Sequence, residues 1–267
     1  MMSDYEIKKE ICEIGKRIYN KGFVAANDGN ITVKVNDNEF WATPTGVSKG
    51  YMTPDMLIKV NREGKVLEGT WKPSSELKMH LRVYKERPDV GAVVHAHPPT
   101  ATGFAIARIP LDQYIMPEAI ISLGTVPIAE YGTPYTDEIP DAVSKYLQDY
   151  DAVLLENHGA LTVGTDLLNA YFKMETLEFY AKLSLVARLL GGAKELNCEQ
   201  VEKLMEIRKK MNIKGRHPGC RGCSQEECTC RFKGDDQETV ADKVNEADLV
   251  RIVTDVTKRV LAQYKGK

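Results

Sequence analysis

Histidine is scarce in this chain, with five residues in 267, and no apolar run approaches the ~20 residues that cross a bilayer. Neither sign of charge dominates: 36 basic side chains face 38 acidic ones, for a formal net charge of -2. Without a global field, nucleic acid and membrane surfaces are not expected partners, and a small or locally charged ligand is. Internal repeats and low-complexity tracts are lacking as well. The opening stretch MMSDYEIKKEICEIGKRIY has the pattern of an amphipathic helix and not of a signal peptide, which makes the cytoplasm the expected location. Four of the six cysteines crowd between Cys220 and Cys230, a distribution that fits a reducing compartment better than a disulfide framework.

What is present is an alternation of element signals. ITVKV and FWAT have the alternation of two hairpin strands. SSELKMHLRVYKER, from Ser74 to Arg87, places Leu77, Leu81 and Tyr84 on one helical face, with a serine cap at the start and Pro88 beyond the end. GAVVHAH predicts a buried strand, TATGFAIAR a helix, and TVPIAEY an extended segment. A helix from about Glu138 to Gln148 then leads into AVLLENHGALTVG, two apolar runs around a tight turn, and a long helix spans Leu167 to Leu190. Strands alternating with helices predict an α/β fold, a three-layer α/β/α arrangement around a mixed or antiparallel sheet.

The chemistry concentrates around VVHAHPPT. In a strand, residues i and i+2 share a face, so His95 and His97 can aim two imidazoles at one point. Two isolated histidines would ordinarily be packing residues, but ENHGAL puts His158 in a tight turn and PSSELKMH puts Glu76 in the first helical turn. Three imidazoles and a carboxylate form a borderline-soft N3O set suited to Zn2+, with Co2+ or Mn2+ as substitutes. His80, one turn after Glu76, is a rival ligand to which we assign packing or support. The loops NDGN, TPTG and PSS offer backbone N–H groups and small polar side chains, and a helix begins at Ser74 and Ser75, a combination that favours an anion such as phosphate.

NDGNIT, TPTG, PSSE, VVHAHP and ENHG, in this order and at these spacings, resemble the class II aldolase/adducin family, closest to its fuculose-phosphate aldolase branch, over about residues 5 to 212. The resemblance implies a three-layer fold on a central, mostly antiparallel sheet, a zinc ion, and a homotetramer with active sites at subunit interfaces. It implies reversible cleavage of a deoxyketose 1-phosphate, such as L-fuculose 1-phosphate, to dihydroxyacetone phosphate and L-lactaldehyde. By the same resemblance His95, His97 and His158 hold the metal, and Glu76 is both ligand and catalytic acid/base. Asn30, Thr45, Gly46, Ser74 and Ser75 would receive the phosphate, and Tyr114 would donate a proton from the neighbouring subunit. The second tyrosine that those enzymes carry near the C-terminus has no counterpart in IRKKMNIKG. Rival readings are a ribulose-phosphate 4-epimerase, another sugar-phosphate aldolase or dehydratase, and a noncatalytic adducin-like module.

Residues 1–214 are thus expected to form the aldolase domain, residues 215–240 a Cys/Gly-rich linker and residues 241–267 an amphipathic helix. Cys220, Cys223, Cys228 and Cys230 are a candidate second metal site, with reduced cysteines in a linker as the alternative. Leu249, Ile252, Val253, Val256 and Val260 recur at helical spacing after Asn245. This segment is similar to the encapsulation peptides that attach enzymes to bacterial microcompartment shells; a shell protein is therefore an expected partner, with packing on its own domain as the alternative.

Overall fold

The computed structural model describes residues 2–219 and two short strands beyond them. The chain divides into compact units Met1–Arg221 and Gly222–Lys267. Of the second unit, only the antiparallel pairing of β9 (Cys223–Ser224) with β10 (Glu227–Cys228) is described. Cys223 and Cys228 of the expected thiolate site fall on this pair, whereas Cys220, Cys230 and the expected terminal helix at residues 241–267 lie outside the described residues.

Helix α1 (Asp4–Asn20) begins with a capping box, in which Ser3 and Glu6 satisfy each other's backbone N–H groups. Its Ile7, Ile11, Ile14 and Ile18 are buried at the three- and four-residue spacing of one helical face. There follow β1 (Asn30–Asn36), β2 (Glu39–Ala42), β3 (Ile58–Asn61), β4 (Val66–Glu68), α2 (Leu77–Glu86), β5 (Ala92–Ala96), α3 (Pro99–Ala107) and α4 (Pro117–Ser122). The first unit ends with β6 (Ile128–Ala129), α5 (Glu138–Ser144), β7 (Ala152–Leu155), β8 (Gly159–Gly164), α6 (Leu167–Leu189) and α7 (Cys198–Lys210).

Eight strands make one sheet in the order β4-β3-β2-β1-β5-β8-β7-β6, antiparallel throughout except for the parallel β6–β7 pair. The pleat sorts each strand between two apolar layers. Ala92, Val94 and Ala96 of β5 join the isoleucines of α1 and the inner face of α6, whereas Val93 faces α2 and α5. The three-layer architecture expected from the sequence is therefore present, and the side of the sheet that carries Val93 also carries His95.

Several boundaries differ from those read in the sequence. Helix α2 starts at Leu77, three residues after Ser74, because the Ser74 hydroxyl accepts from the Glu76 N–H at 3.3 Å and holds a turn ahead of the helix. The extended segment TVPIAEY pairs only through Ile128 and Ala129. Strands β3 and β4 carry lysine and glutamate on their outer face, and their short length hid them. Helix α7, with its Asn197/Gln200 capping box, was also not anticipated. Its Arg208 is buried, and its guanidinium donates to the Ile121 and Ser122 carbonyls where α4 ends, so this basic residue anchors α7 to α4.

Candidate active site

Strand β5 lies between β1 and β8, so His95 is fully buried. Its Nδ1 is 2.9 Å from the Ala160 carbonyl, an acceptor only, so Nδ1 carries a proton and Nε2 is the nitrogen turned towards Glu76 and His97. His97 follows the strand end, with Nε2 3.2 Å from His95 Nε2 and Nδ1 3.6 Å from Asp28 Oδ2. His158 stands in the turn between β7 and β8, where Asn157 takes a left-handed conformation, φ 56°. The next residue must be glycine: a Cβ on Gly159 would lie 2.5 Å from His97 Cδ2 and 2.6 Å from the Ala96 carbonyl oxygen.

The three imidazoles offer nitrogens that all lie within 4.8 Å of one another. Metal–nitrogen bonds of ~2.0–2.1 Å in tetrahedral geometry place ligand nitrogens about 3.3 Å apart, close to the His95–His97 separation. The donor set therefore fits a divalent cation of borderline softness.

Glu76 completes the cluster from the turn before α2. Its Oε1 is 2.8 Å from His158 Nε2 and 3.5 Å from His95 Nε2, while its Oε2 accepts from Asn30 Nδ2 at 2.6 Å. Burial would raise the Glu76 carboxyl, but the charge of His95 and hydrogen bonds from His158 and His95 outweigh it and hold the group well below the usual carboxylate range. For His95, burial opposes the charged form and the Glu76 carboxylate overcomes it, so its pKa is raised. His97 is lowered to about 3 by burial and by the charges of His95 and His158.

The polar loops meet in front of this cluster around a pocket of about 200 Å³. Asn27, Asp28 and Gly29 form one wall, Thr45 a second, and Ser74 and Ser75 a third, with Glu76, His97 and His158 at the metal end. Asn30, the first residue of β1 and the register partner of His95, links the two halves: its amide donates to Glu76 and, at 3.3 Å, to Ser74 Oγ. Its Oδ1 is buried without a partner among the described residues. The Thr45 N–H donates to the Lys72 carbonyl at 2.9 Å, tying the TPTG loop to the PSS loop. Gly46 has φ 73° and open space where a side chain would stand. A larger groove of about 460 Å³ lies between Arg62, Lys78 and Arg82, apart from the histidines.

His80 is not part of the cluster: its Nδ1 is 2.9 Å from Thr32 Oγ1, and burial with the nearby His95 charge lowers its pKa to about 3. Tyr114 does not line the pocket of its own chain. It is buried with Ile120 and Val201, and its hydroxyl donates to the Gly219 carbonyl at 3.3 Å.

Two neighbours of the pocket went unread in the sequence. Tyr135 stands at its rim with φ 73°, a strained conformation for a bulky residue that no composition signal announces. Lys49, in a single 3-10 turn at Lys49–Tyr51, is only 1% exposed and donates to the Asn27 carbonyl at 2.9 Å and the Val47 carbonyl at 2.8 Å. Burial lowers its pKa to about 8 against the opposing charges of Asp28 and Glu76. A lysine between serine and glycine reads as a surface residue, so only tertiary packing could find it.

The fold agrees with the comparisons to known proteins. Residues 9–185 match the class II aldolase and adducin N-terminal domain, and the chain belongs to that family. A Methanococcus vannielii protein named L-fuculose phosphate aldolase is 37% identical over 66% of this chain and 94% of its own. A Haemophilus influenzae protein named 3-oxo-tetronate 4-phosphate decarboxylase is 32% identical over 68% of this chain and 88% of its own. A solved structure titled L-fuculose 1-phosphate aldolase superposes with a TM-score of 0.72 at 32% identity, covering 78% of this chain and 98% of that one.

Proposed function

We propose that the chain is a zinc-dependent aldehyde-lyase that reversibly cleaves a ketose 1-phosphate, in the first instance L-fuculose 1-phosphate, to dihydroxyacetone phosphate and L-lactaldehyde. The observation that carries this reading is the position of Glu76, shared between His158 and Asn30 at 2.8 and 2.6 Å and opening on the polar-loop pocket. When bound, a divalent cation supplies Lewis-acid stabilisation of negative charge developing on a carbonyl oxygen. Ser74, Ser75, Thr45, Gly46 and Asn30 receive the phosphate, fixing the reacting carbons near the carboxylate. In the condensation direction the Glu76 carboxylate takes the proton from the carbon beside the ketone carbonyl, and that carbon's electron pair forms the bond to the aldehyde carbon. In cleavage the hydroxyl on the carbon that becomes the aldehyde gives up its proton and the carbon–carbon bond breaks. The electron pair left on the carbon beside the carbonyl then takes a proton that Glu76 has first received from solvent. Tyr114 of a neighbouring subunit exchanges the proton at the aldehyde oxygen. Assembly into a tetramer draws support from Phe172, Phe179 and Val186, apolar side chains half exposed on α6.

The test is release of dihydroxyacetone phosphate from L-fuculose 1-phosphate by zinc-loaded protein, read by NADH oxidation through a coupling dehydrogenase. Chelator-sensitive release supports the reading. Carbon dioxide release from a 3-oxo-tetronate 4-phosphate would move the assignment to decarboxylation, and interconversion of pentulose 5-phosphates would move it to epimerisation. Inactivity toward every sugar phosphate with metal bound would favour the noncatalytic alternative.

A further inference from the structure

The Lys49 ammonium is buried, yet its two hydrogen-bond partners are backbone carbonyls, Asn27 and Val47. No carboxylate lies within ion-pair distance of it among the described residues. A buried charge in that condition is costly, and structures retain one where something else neutralises it. The two carbonyls show where that happens. Asn27 opens the NDGN wall of the pocket, and Val47 closes the TPTG loop, so the ammonium sits behind the junction of two anion-receiving loops. The location is rigid, because α1 clamps the turn: a Cβ on Gly15 would lie 2.7 Å from the Lys49 carbonyl oxygen, and one on Gly50 would lie 2.5 Å from the Tyr19 ring.

We infer that Lys49 is a positioning residue whose buried positive charge, acting through the Asn27 and Thr45 loops, completes the phosphate subsite and makes it selective for a dianionic phosphoryl group. The inference rests on the phosphate-pocket reading above. Lys49 does not touch the ligand; it holds the two loops at fixed separation and supplies a charge that the small polar side chains of those loops lack. In a site screened from water such a charge attracts a dianion more strongly than it would at the surface. The same charge disfavours a cation at this end of the pocket and favours an anion, and so it directs the phosphoryl end of the substrate here, away from the histidines.

The test uses the full chain loaded with zinc and inorganic phosphate as the probe. Phosphate binding is read by calorimetry and by competition against the sugar phosphate, for the unaltered protein and for Lys49→Gln. Glutamine keeps two N–H donors for the two carbonyls while removing the charge. The expected result is phosphate affinity at least ten-fold weaker in Lys49→Gln, with a matching rise in KM for the sugar phosphate. In the same variant kcat stays within about three-fold, and zinc content is unchanged. Lys49→Met, which removes donors as well as charge, serves as the second variant if glutamine disturbs folding, and is expected to lose at least as much affinity. Phosphate binding equal to that of the unaltered protein in a folded variant overturns the inference, as does an equal fall in turnover of unphosphorylated and phosphorylated ketoses, which marks a merely structural tie. Failure of the unaltered protein to bind phosphate at all would instead overturn the pocket assignment itself.

Discussion

Gly159 and His97 are packed so closely that the space a β-carbon would need at position 159 is already held by the His97 ring, 2.5 Å away. The glycine after His158 thereby lets two strands bring their imidazoles together. Gly159→Ala is expected to displace His97 and lower metal affinity by about ten-fold or more. Overpacking should also cost about 1–3 kcal/mol of stability. Metal titration together with denaturant unfolding checks both. Undiminished affinity would show that the ring positions tolerate the shift.

Glu76 combines a ligating position with a tight hydrogen bond to Asn30, and the two roles respond differently to an isosteric change. Glu76→Gln keeps the shape and one oxygen but cannot carry the proton. Turnover is expected to fall about 10²- to 10⁴-fold while the three histidines retain about one metal per chain. Steady-state kinetics and elemental analysis on one preparation separate the roles. Near-normal turnover would remove Glu76 from proton transfer.

How far these features could be read from the sequence depends on the range of the interactions that create them. His95, His97, His158 and Glu76 were legible because a strand period, a tight turn and a helix start are local patterns, and these three patterns pointed to one metal chemistry. The sheet's layers followed from the same alternation. Lys49 and Tyr135 were not legible, because what distinguishes them is burial beneath α1 in one case and a left-handed backbone in the other. Arg208 likewise reads as one more basic residue in IRKK until its guanidinium is seen against the end of α4. Strands β3 and β4 gave weak signals because an edge hairpin buries few side chains.

Asp28 Oδ2 faces His97 Nδ1 at 3.6 Å, a carboxylate set to orient an imidazole from behind. Asp28→Asn is expected to weaken metal binding by about 10- to 100-fold with little effect on folding of the metal-free protein. Competition with a calibrated chelator reads the affinity, and thermal unfolding in excess chelator reads the fold. A variant with unchanged affinity would make the Asp28 contact incidental.

Removing the metal should register in stability as well as in activity. The three imidazoles and Glu76 come from three separate segments, and a cation that binds only when these are assembled favours the folded state. At a free-metal concentration a thousand times its dissociation constant the gain is about 4 kcal/mol. Denaturant unfolding with and without chelator is expected to show a loss of that order, restored by zinc. The loss should disappear in His95→Ala, whose buried imidazole is replaced by a side chain without a donor. A chelator effect that survives in this variant would place the stabilising ion elsewhere.

The burial of Lys49 has a consequence for pH dependence whose sign is fixed by its depressed pKa. The unfolded chain holds this proton up to pH about 10.5, whereas the folded protein holds it only to about 8. Between these values the unfolded state binds more protons, so this group makes folding less favourable below pH 8 and relieves that penalty as pH rises towards 10.5. The neutral amine still has two N–H donors for the Asn27 and Val47 carbonyls, so deprotonation leaves the local hydrogen bonds in place. Relief of up to about 3 kcal/mol is expected across this window, measured as the difference in unfolding free energy between the unaltered protein and Lys49→Gln at matched pH. The difference is needed because Tyr84 and Tyr180, whose hydroxyl pKa values burial raises, destabilise the fold as pH passes 10 in both proteins. Saturating phosphate should flatten the difference, since a bound dianion neutralises the ammonium and returns its pKa towards the ordinary value. A difference that stays constant from pH 7 to 10 would mean that Lys49 is solvated well enough to keep its normal titration.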